Sequence, residues 1–209
     1  MTETEPVVFI IDDDPSVRRS LERLMKSVGL VAESFASARE FLQRGHREET
    51  GCLVLDVRMP EISGLDLQEQ LAKAGIFLPI IFISGHGTVP MSVRAMKAGA
   101  VDFLLKPVAD QDLLDSVQRA IDQSRRGRAE RDEMKKIQER VHTLTPREHE
   151  VFTLVVSGFM NKQIAERLKT SEKTIKVHRA SIMVKMDART LADLVRMAEK
   201  AGIQPLQSK

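Results

Sequence analysis

Residues 7–14 read VVFIIDDD, five apolar residues running into three aspartates. An unbroken apolar run of that length, rich in β-branched residues, suits a strand covered on both faces. The sequence continues from Pro15 to Val28 with Val17, Leu21, Leu24, Met25 and Val28 at helical spacing, and Gly29 stops it. The same alternation then repeats. Val31–Phe35 reads as a strand and Ala36–Gln43 as a helix; Cys52–Leu55 is followed by Leu65–Ala74, and Ile80–Ile83 by Val89–Ala98. A short strand, Phe103–Leu105, precedes a helix from Asp110 with Leu113, Leu114, Val117 and Ile121 on one face. Five strand–helix repeats in about 120 residues predict an open parallel sheet with helices on both faces.

Ligands of such sheets sit beyond the carboxyl ends of the strands. The first strand ends in Asp12, Asp13 and Asp14, the third in Asp56, the fourth in Ser84 and the fifth in Lys106, before Pro107. Asp14, just before Pro15, reads as a helix cap. Neighbouring carboxylates repel unless a cation joins them, and carboxylate oxygens with waters are the ligand set of Mg²⁺. Mg²⁺ and the Lys106 ammonium would both attract a phosphoryl group. The chemistry this edge supports is attack by a carboxylate on phosphorus, giving an aspartyl phosphate. Asp56, alone at the end of the central strand, is the nucleophile candidate. Asp12 and Asp13 are the metal candidates, Lys106 and Ser84 the groups that would meet phosphoryl oxygens.

Composition sets the frame. The 209 residues are 42% apolar and 30% charged, enough for packed cores and about right for two small domains. A single cysteine, Cys52, excludes an internal disulfide framework and a cysteine-rich zinc site. No apolar run approaches the roughly 18 residues of a membrane span, and Met1 to Pro6 lacks a signal-peptide pattern. A cytoplasmic protein with no membrane partner is expected. The net charge of +2 conceals an asymmetry: residues 1–124 carry 13 Lys and Arg against 19 Asp and Glu, whereas residues 125–209 carry 19 against 11. The basic half suits a polyanion partner.

Between the halves, residues 125–142 are highly charged, with Gly127 as the one breaker and a thin stripe of Ala129, Met134, Ile137 and Val141. Two readings stay open: a solvated linker helix, or a continuation of the preceding helix that pairs in a dimer. Beyond it, Thr145-Pro146-Arg147-Glu148 carries the marks of a capped helix start. Asn161 is expected to cap a second helix, Lys162–Leu168, and Ser171 a third, Glu172 to about Met186. A tight turn at Lys169-Thr170 joins the two. Thr190 to Ala201 reads as a fourth. Two helices around a tight turn, the later one basic, predict a helix-turn-helix. On the third helix Ile175, His178 or Arg179, Ile182 and Met186 would pack inward. Lys173, Lys176, Val177 and Ala180 would face a major groove about 12 Å wide, where Lys donates to guanine or phosphate and Val touches a thymine methyl.

The marks DDD at 12–14, DVRMP at 56–60, SGHG at 84–87 and KP at 106–107 resemble the receiver domain of two-component response regulators, with 91–107 (MSVRAMKAGAVDFLLKP) similar to the FixJ subgroup. Residues 144–186 resemble the LuxR-type DNA-binding domain of the FixJ/NarL family, through LTPRE, NKQIA and TIKVHR. The first resemblance implies a flavodoxin-like sheet in strand order 2-1-3-4-5. It implies Asp56 as phosphoacceptor, and Asp12, Asp13, Asp56 and the Arg58 carbonyl as Mg²⁺ ligands. Ser84 becomes the switch hydroxyl, Phe103 the rotating aromatic, Lys106 the conserved lysine, and Lys106–Pro107 a cis peptide. The second implies Lys173, Lys176, Val177 and Arg179 as DNA-binding residues, with the fourth helix as a dimerisation surface. The domains expected are a receiver at 1–124, a helical linker at 125–142 and a DNA-binding domain at 143–209. The partners implied are a sensor histidine kinase, double-stranded promoter DNA, a second copy on phosphorylation and, as a further candidate, RNA polymerase. The competing enzyme reading, a Mg²⁺-dependent phosphohydrolase working through an aspartyl phosphate, would use the same groups. It is disfavoured because the acidic run leads straight into Pro15 without a separate nucleophile-plus-acid pair. A DNA-binding protein with an inert receiver is disfavoured by the complete set of acids, Ser84 and Lys106.

Overall fold

The computed structural model describes residues 5–45 and 49–203. Residues 1–4, 46–48 and 204–209, counted above within the first and last domains, lie outside them. The chain divides into two compact units, Met1–Arg128 and Ala129–Lys209.

In the first unit, β1 (Val7–Ile11), β2 (Val31–Phe35), β3 (Gly51–Asp56), β4 (Ile80–Ser84) and β5 (Asp102–Leu105) alternate with α1 (Pro15–Ser27), α2 (Ala38–Gln43), α3 (Gly64–Lys73) and α4 (Val89–Lys97). The helix α5 (Asp110–His142) follows. The strands form one parallel sheet in the order β2-β1-β3-β4-β5. Side chains alternate across it. Phe9, Ile11, Leu53, Leu55 and Phe82 pack with Ala38 and Phe41 of α2, Leu67 and Leu71 of α3 and Ala95 of α4. Val8, Ile10, Cys52, Val54, Ile81 and Ile83 pack with Met25 of α1 and with Leu113, Val117 and Ile121 of α5. β3 is buried at every position, as a strand covered on both faces must be. Cys52 lies within it, and burial pushes its thiol up to about 12.

The charged helical segment expected at 125–142 is the C-terminal part of α5, which passes through Gly127 without interruption. The helix thus continues the preceding one, which is the geometric half of the second reading. The division falls after Arg128, and Ile137, 3% exposed, belongs to the core of the second unit with Val141 packed against it. Of the thin apolar stripe, only Ile137 and Val141 join that core, while Ala129 and Met134 are exposed.

The second unit adds α6 (Pro146–Val156), α7 (Asn161–Arg167), α8 (Glu172–Met186) and α9 (Leu191–Lys200). Val151, Phe152, Ile164, Ile175, Ile182, Met186 and Leu194 form its centre. The Thr145 hydroxyl accepts from Glu148 N and the Glu148 carboxylate accepts from Thr145 N, the reciprocal cap that the sequence announced. At α7 the expected cap moves by one residue. Met160 holds the cap position and the Gln163 side chain accepts its N–H at 2.8 Å, so Asn161 is the first helical residue. The turn before α8 places Lys169 at φ 51, a left-handed conformation that glycine usually takes. Among the described residues no helix is long and apolar enough to cross a membrane.

Gly64, at the start of α3, marks the tightest approach near the sheet's carboxyl edge. A Cβ there would lie 2.3 Å from the carbonyl oxygen of Asp56 and 3.1 Å from the side chains of Leu55 and Phe82. Gly64→Ala is expected to destabilise the chain by about 1–3 kcal/mol, the usual cost of overpacking. A lowered urea midpoint with an unchanged slope would show it; an unchanged midpoint would mean that the loop before α3 relaxes freely.

Candidate functional site

At the carboxyl edge of the sheet, β1 runs into Asp12, which is 2% exposed, and β3 ends in Asp56, which is 7% exposed. Two buried carboxylates need a cation. Lys106, just past β5, supplies it: its Nζ donates to Asp12 Oδ2 at 2.7 Å and to Asp56 Oδ1 at 2.8 Å. The remaining oxygens are held by the backbone, Asp12 Oδ1 accepting from Asp14 N at 2.9 Å and Asp56 Oδ2 from Arg58 N at 2.6 Å. Burial pushes the Asp56 carboxyl above its ordinary range, while Lys106 and the Arg58 amide pull the other way without cancelling it. For Lys106 burial acts downward, and the hydrogen bonds to Asp12 and Asp56 outweigh it, so the ammonium is held above its usual value.

The other residues singled out in the sequence lie around this trio. Asp13 is exposed and does not join the network. Asp14 is the cap of α1, its carboxylate accepting from Ser16 Oγ at 2.6 Å and Ser16 N at 2.7 Å; these bonds hold it below the usual carboxylate range. Ser84 ends β4 and is 1% exposed, its Oγ accepting from His86 N and its carbonyl from Lys106 N at 2.9 Å. The Lys106–Pro107 peptide is cis. Phe103 is half-buried, with its ring 6.1 Å from that of Phe82 and so near Gly87 that a Cβ there would meet Phe103 Cε1 at 2.7 Å.

In the second unit α8 has two distinct faces. Ile175, Ile182 and Met186 are buried. Lys173, Lys176, Val177 and Ala180 are exposed, and the same face continues to Val184, 78% exposed, which the sequence reading did not include. Arg179 lies half-buried to one side and donates to Asn161 Oδ1 at 3.1 Å. Three of the four residues expected to meet DNA therefore share the open face, and the fourth braces α8 against α7.

The description "Response regulator receiver domain" matches residues 8–118, and "Bacterial regulatory proteins, luxR family" matches residues 142–198. The chain belongs to the response regulators of the FixJ/NarL family. It is 52% identical over 200 residues to nodulation protein W of Bradyrhizobium diazoefficiens, covering 96% of this chain and 88% of that one. It is 46% identical to the response regulator protein TodT of Pseudomonas putida over the same shares. Among solved structures, that of the response regulator StyR superposes with a TM-score of 0.84 at 46% identity, over 94% of this chain and all of the other. This response regulator is a phosphorylation-dependent transcriptional regulator. Its receiver implies a sensor kinase as partner and its LuxR-type domain implies DNA. The phosphohydrolase reading finds no support in these relatives and is set aside.

Receiver domains generally take Mg²⁺, and the residues present fit it. Asp12 and Asp56 offer hard oxygens, each accepting one hydrogen bond and keeping a lone pair. Among the described residues no three His, Cys, Asp or Glu side chains are gathered as a ready cage. Mg²⁺ does not require one, since it keeps several waters beside one or two carboxylates.

Two polar clusters escaped the sequence reading. Arg18 Nη1 donates to the carbonyl oxygens of Asp12 at 2.6 Å and Asp13 at 3.0 Å. Its place one turn beyond the Asp14 cap was the available signal. In the second unit Glu148, read only as a cap, is 5% exposed and also accepts from Lys185 Nζ and Ser181 Oγ, both at 2.6 Å. No local spacing announces a bond across 37 residues.

These bonds, Lys185 foremost, then Ser181 and the Thr145 amide, hold Glu148 well below the usual carboxylate value, at about 2. A depressed carboxylate stabilises the fold fully above its unfolded value, and that stability drains as pH falls toward the folded one. Glu148→Gln is therefore expected to lose about 1.5–3 kcal/mol at neutral pH, the scale of a hydrogen bond to a charged group. The gap between the thermal midpoints of wild type and variant should narrow below pH 4.5 and close near pH 2. A gap independent of pH would mean that the carboxylate charge is irrelevant.

Proposed function

We propose that Asp56 is the phosphoacceptor, taking a phosphoryl group from a sensor histidine kinase. The observation that carries this reading is the Lys106 ammonium bonded at once to Asp12 and Asp56 at the carboxyl edge of the sheet. An Asp56 carboxylate oxygen attacks phosphorus as the nitrogen of a kinase phosphohistidine leaves. Magnesium, held by Asp12, Asp13, Asp56 and the Arg58 carbonyl, would supply charge neutralisation for the incoming group. Lys106 then turns to phosphoryl oxygens, and the Ser84 hydroxyl moves to bond another. Phe103 fills the space that Ser84 leaves, and this repacks the face of α4 and β5. The change is a local charge event with a two-state readout.

The output follows from the same logic. The repacked face pairs with a second copy, and α9 supplies a further contact between the two DNA-binding domains. Two α8 helices then enter successive major grooves about one helical turn apart. Lys173, Lys176 and Val177 make the contacts, with Arg179 beside them. Exposure of the first three on one face supports this reading. We take the DNA-binding domain to begin at Ala129 within α5, since Ile137 is part of its core. The protein acts in the cytoplasm, with RNA polymerase as the partner at the promoter.

Incubation with Mg²⁺ and acetyl phosphate or phosphoramidate should add one phosphate by mass and shift the protein from monomer to dimer. Asp56→Asn should do neither; stoichiometric labelling of that variant would place the acceptor elsewhere. On DNA, Lys176→Ala should weaken specific binding and reduce the salt slope by about 1, as loss of one phosphate contact does. An unchanged titration would remove Lys176 from the interface.

A further inference from the structure

The β1–α1 turn must hold two carboxylates in register, and it holds them differently. The Asp12 carboxylate is fixed twice, by the Asp14 amide and by Lys106. The Asp13 carboxylate has no hydrogen-bond or ionic partner among the described residues. Its position therefore depends on its backbone. The Asp12 carbonyl belongs to the peptide plane before Asp13, and the Asp13 carbonyl to the plane after it. One nitrogen of Arg18, Nη1, donates to both, at 2.6 and 3.0 Å. With both flanking planes pinned, φ and ψ of Asp13 are set, and with them the direction of its Cα–Cβ bond.

Arg18 is itself well anchored. It lies in the first turn of α1, where its amide donates to the Asp14 carbonyl at 3.1 Å, and it is half-buried.

We propose that Arg18 is a positioning residue for the metal site: by fixing the two peptide planes around Asp13 it holds that carboxylate ready for Mg²⁺. This rests on the reading that Asp12 and Asp13 are metal ligands. Without Arg18 the Asp13 backbone must be ordered when Mg²⁺ binds, and that ordering is subtracted from affinity. Groups that orient ligands in this way typically account for 10- to 100-fold in metal affinity.

The test is calorimetric titration of the full chain with Mg²⁺, for wild type, Arg18→Met, Arg18→Lys, Asp13→Asn and the double variant Arg18→Met/Asp13→Asn. Arg18→Met should bind about 10-fold more weakly. Its phosphorylation rate by acetyl phosphate should return to the wild-type value once Mg²⁺ saturates, because Asp56 and Lys106 are untouched. Arg18→Lys, which keeps a cationic donor, should recover part of the affinity. In the Asp13→Asn background the effect of Arg18→Met should largely vanish, because the clamp acts through Asp13. Wild-type affinity in Arg18→Met, or an effect of full size in the Asp13→Asn background, would overturn the proposal. A phosphorylation rate that stays low at saturating Mg²⁺ would overturn it as well, by showing a general loss of structure. Wild-type affinity in Asp13→Asn itself would instead refute the metal reading of Asp13, and this proposal with it.

Discussion

One ammonium group sets the terms for the receiver. Asp12 and Asp56 lie at the carboxyl ends of neighbouring strands, both nearly inaccessible, and would repel if left to themselves. Lys106 bonds to both and brings a third strand end into the same spot. The sheet order is what makes this possible. β3 lies between β1 and β4, and β5 follows β4, so residues 94 apart in sequence meet within 2.7 Å. The arrangement still carries one more carboxylate than cation, and Asp13 stands beside it. A site with such a residual negative charge has an outstanding claim on a cation, which is the electrostatic reason that Mg²⁺ suits it.

The second unit solves a different problem. The helix proposed to read DNA, α8, presents an open face and is held firmly from behind. Ile175, Ile182 and Met186 supply the apolar half of that support. The polar half comes from Glu148, which reaches from α6 to Ser181 and Lys185 on α8. Arg140, near the end of α5, donates to the Met186 carbonyl and to Asp187, closing the C-terminal end of the same helix. The cationic residues of α8 are thus sorted by position: Lys173 and Lys176 face outward, whereas Arg179 and Lys185 bond to side chains of the domain itself.

The sheet and its edge were legible because their signals are local. A run such as Val7–Ile11 names a buried strand, and the residue after it is placed by the strand alone. Asp12 and Lys106 directly follow β1 and β5, and Asp56 and Ser84 are the last residues of β3 and β4. The LuxR-type half was legible through caps and turns, where Thr145 and Ser171 perform as read. What escaped is what depends on tertiary reach. Gly127 looked like a breaker, yet the helix runs through it, a single glycine costing only about 1 kcal/mol against the packing of Ile137 and Val141 beyond. Asn161 looked like a cap, but Gln163 caps the neighbouring amide and leaves Asn161 for Arg179. Arg18 and Lys185 bond to groups that no periodicity marks.

Cys52 lies at the middle of the sheet, fully buried, with its thiol raised to about 12. Burial disfavours the reactive thiolate, and the thiol is packed in the core with Val8, Val54 and Met25. Since the chain has no other cysteine, it offers no second thiol with which Cys52 could form an internal disulfide. The regulator is in this sense blind to thiol oxidation and keeps its response for the phosphoryl signal, even when the cell's redox balance shifts.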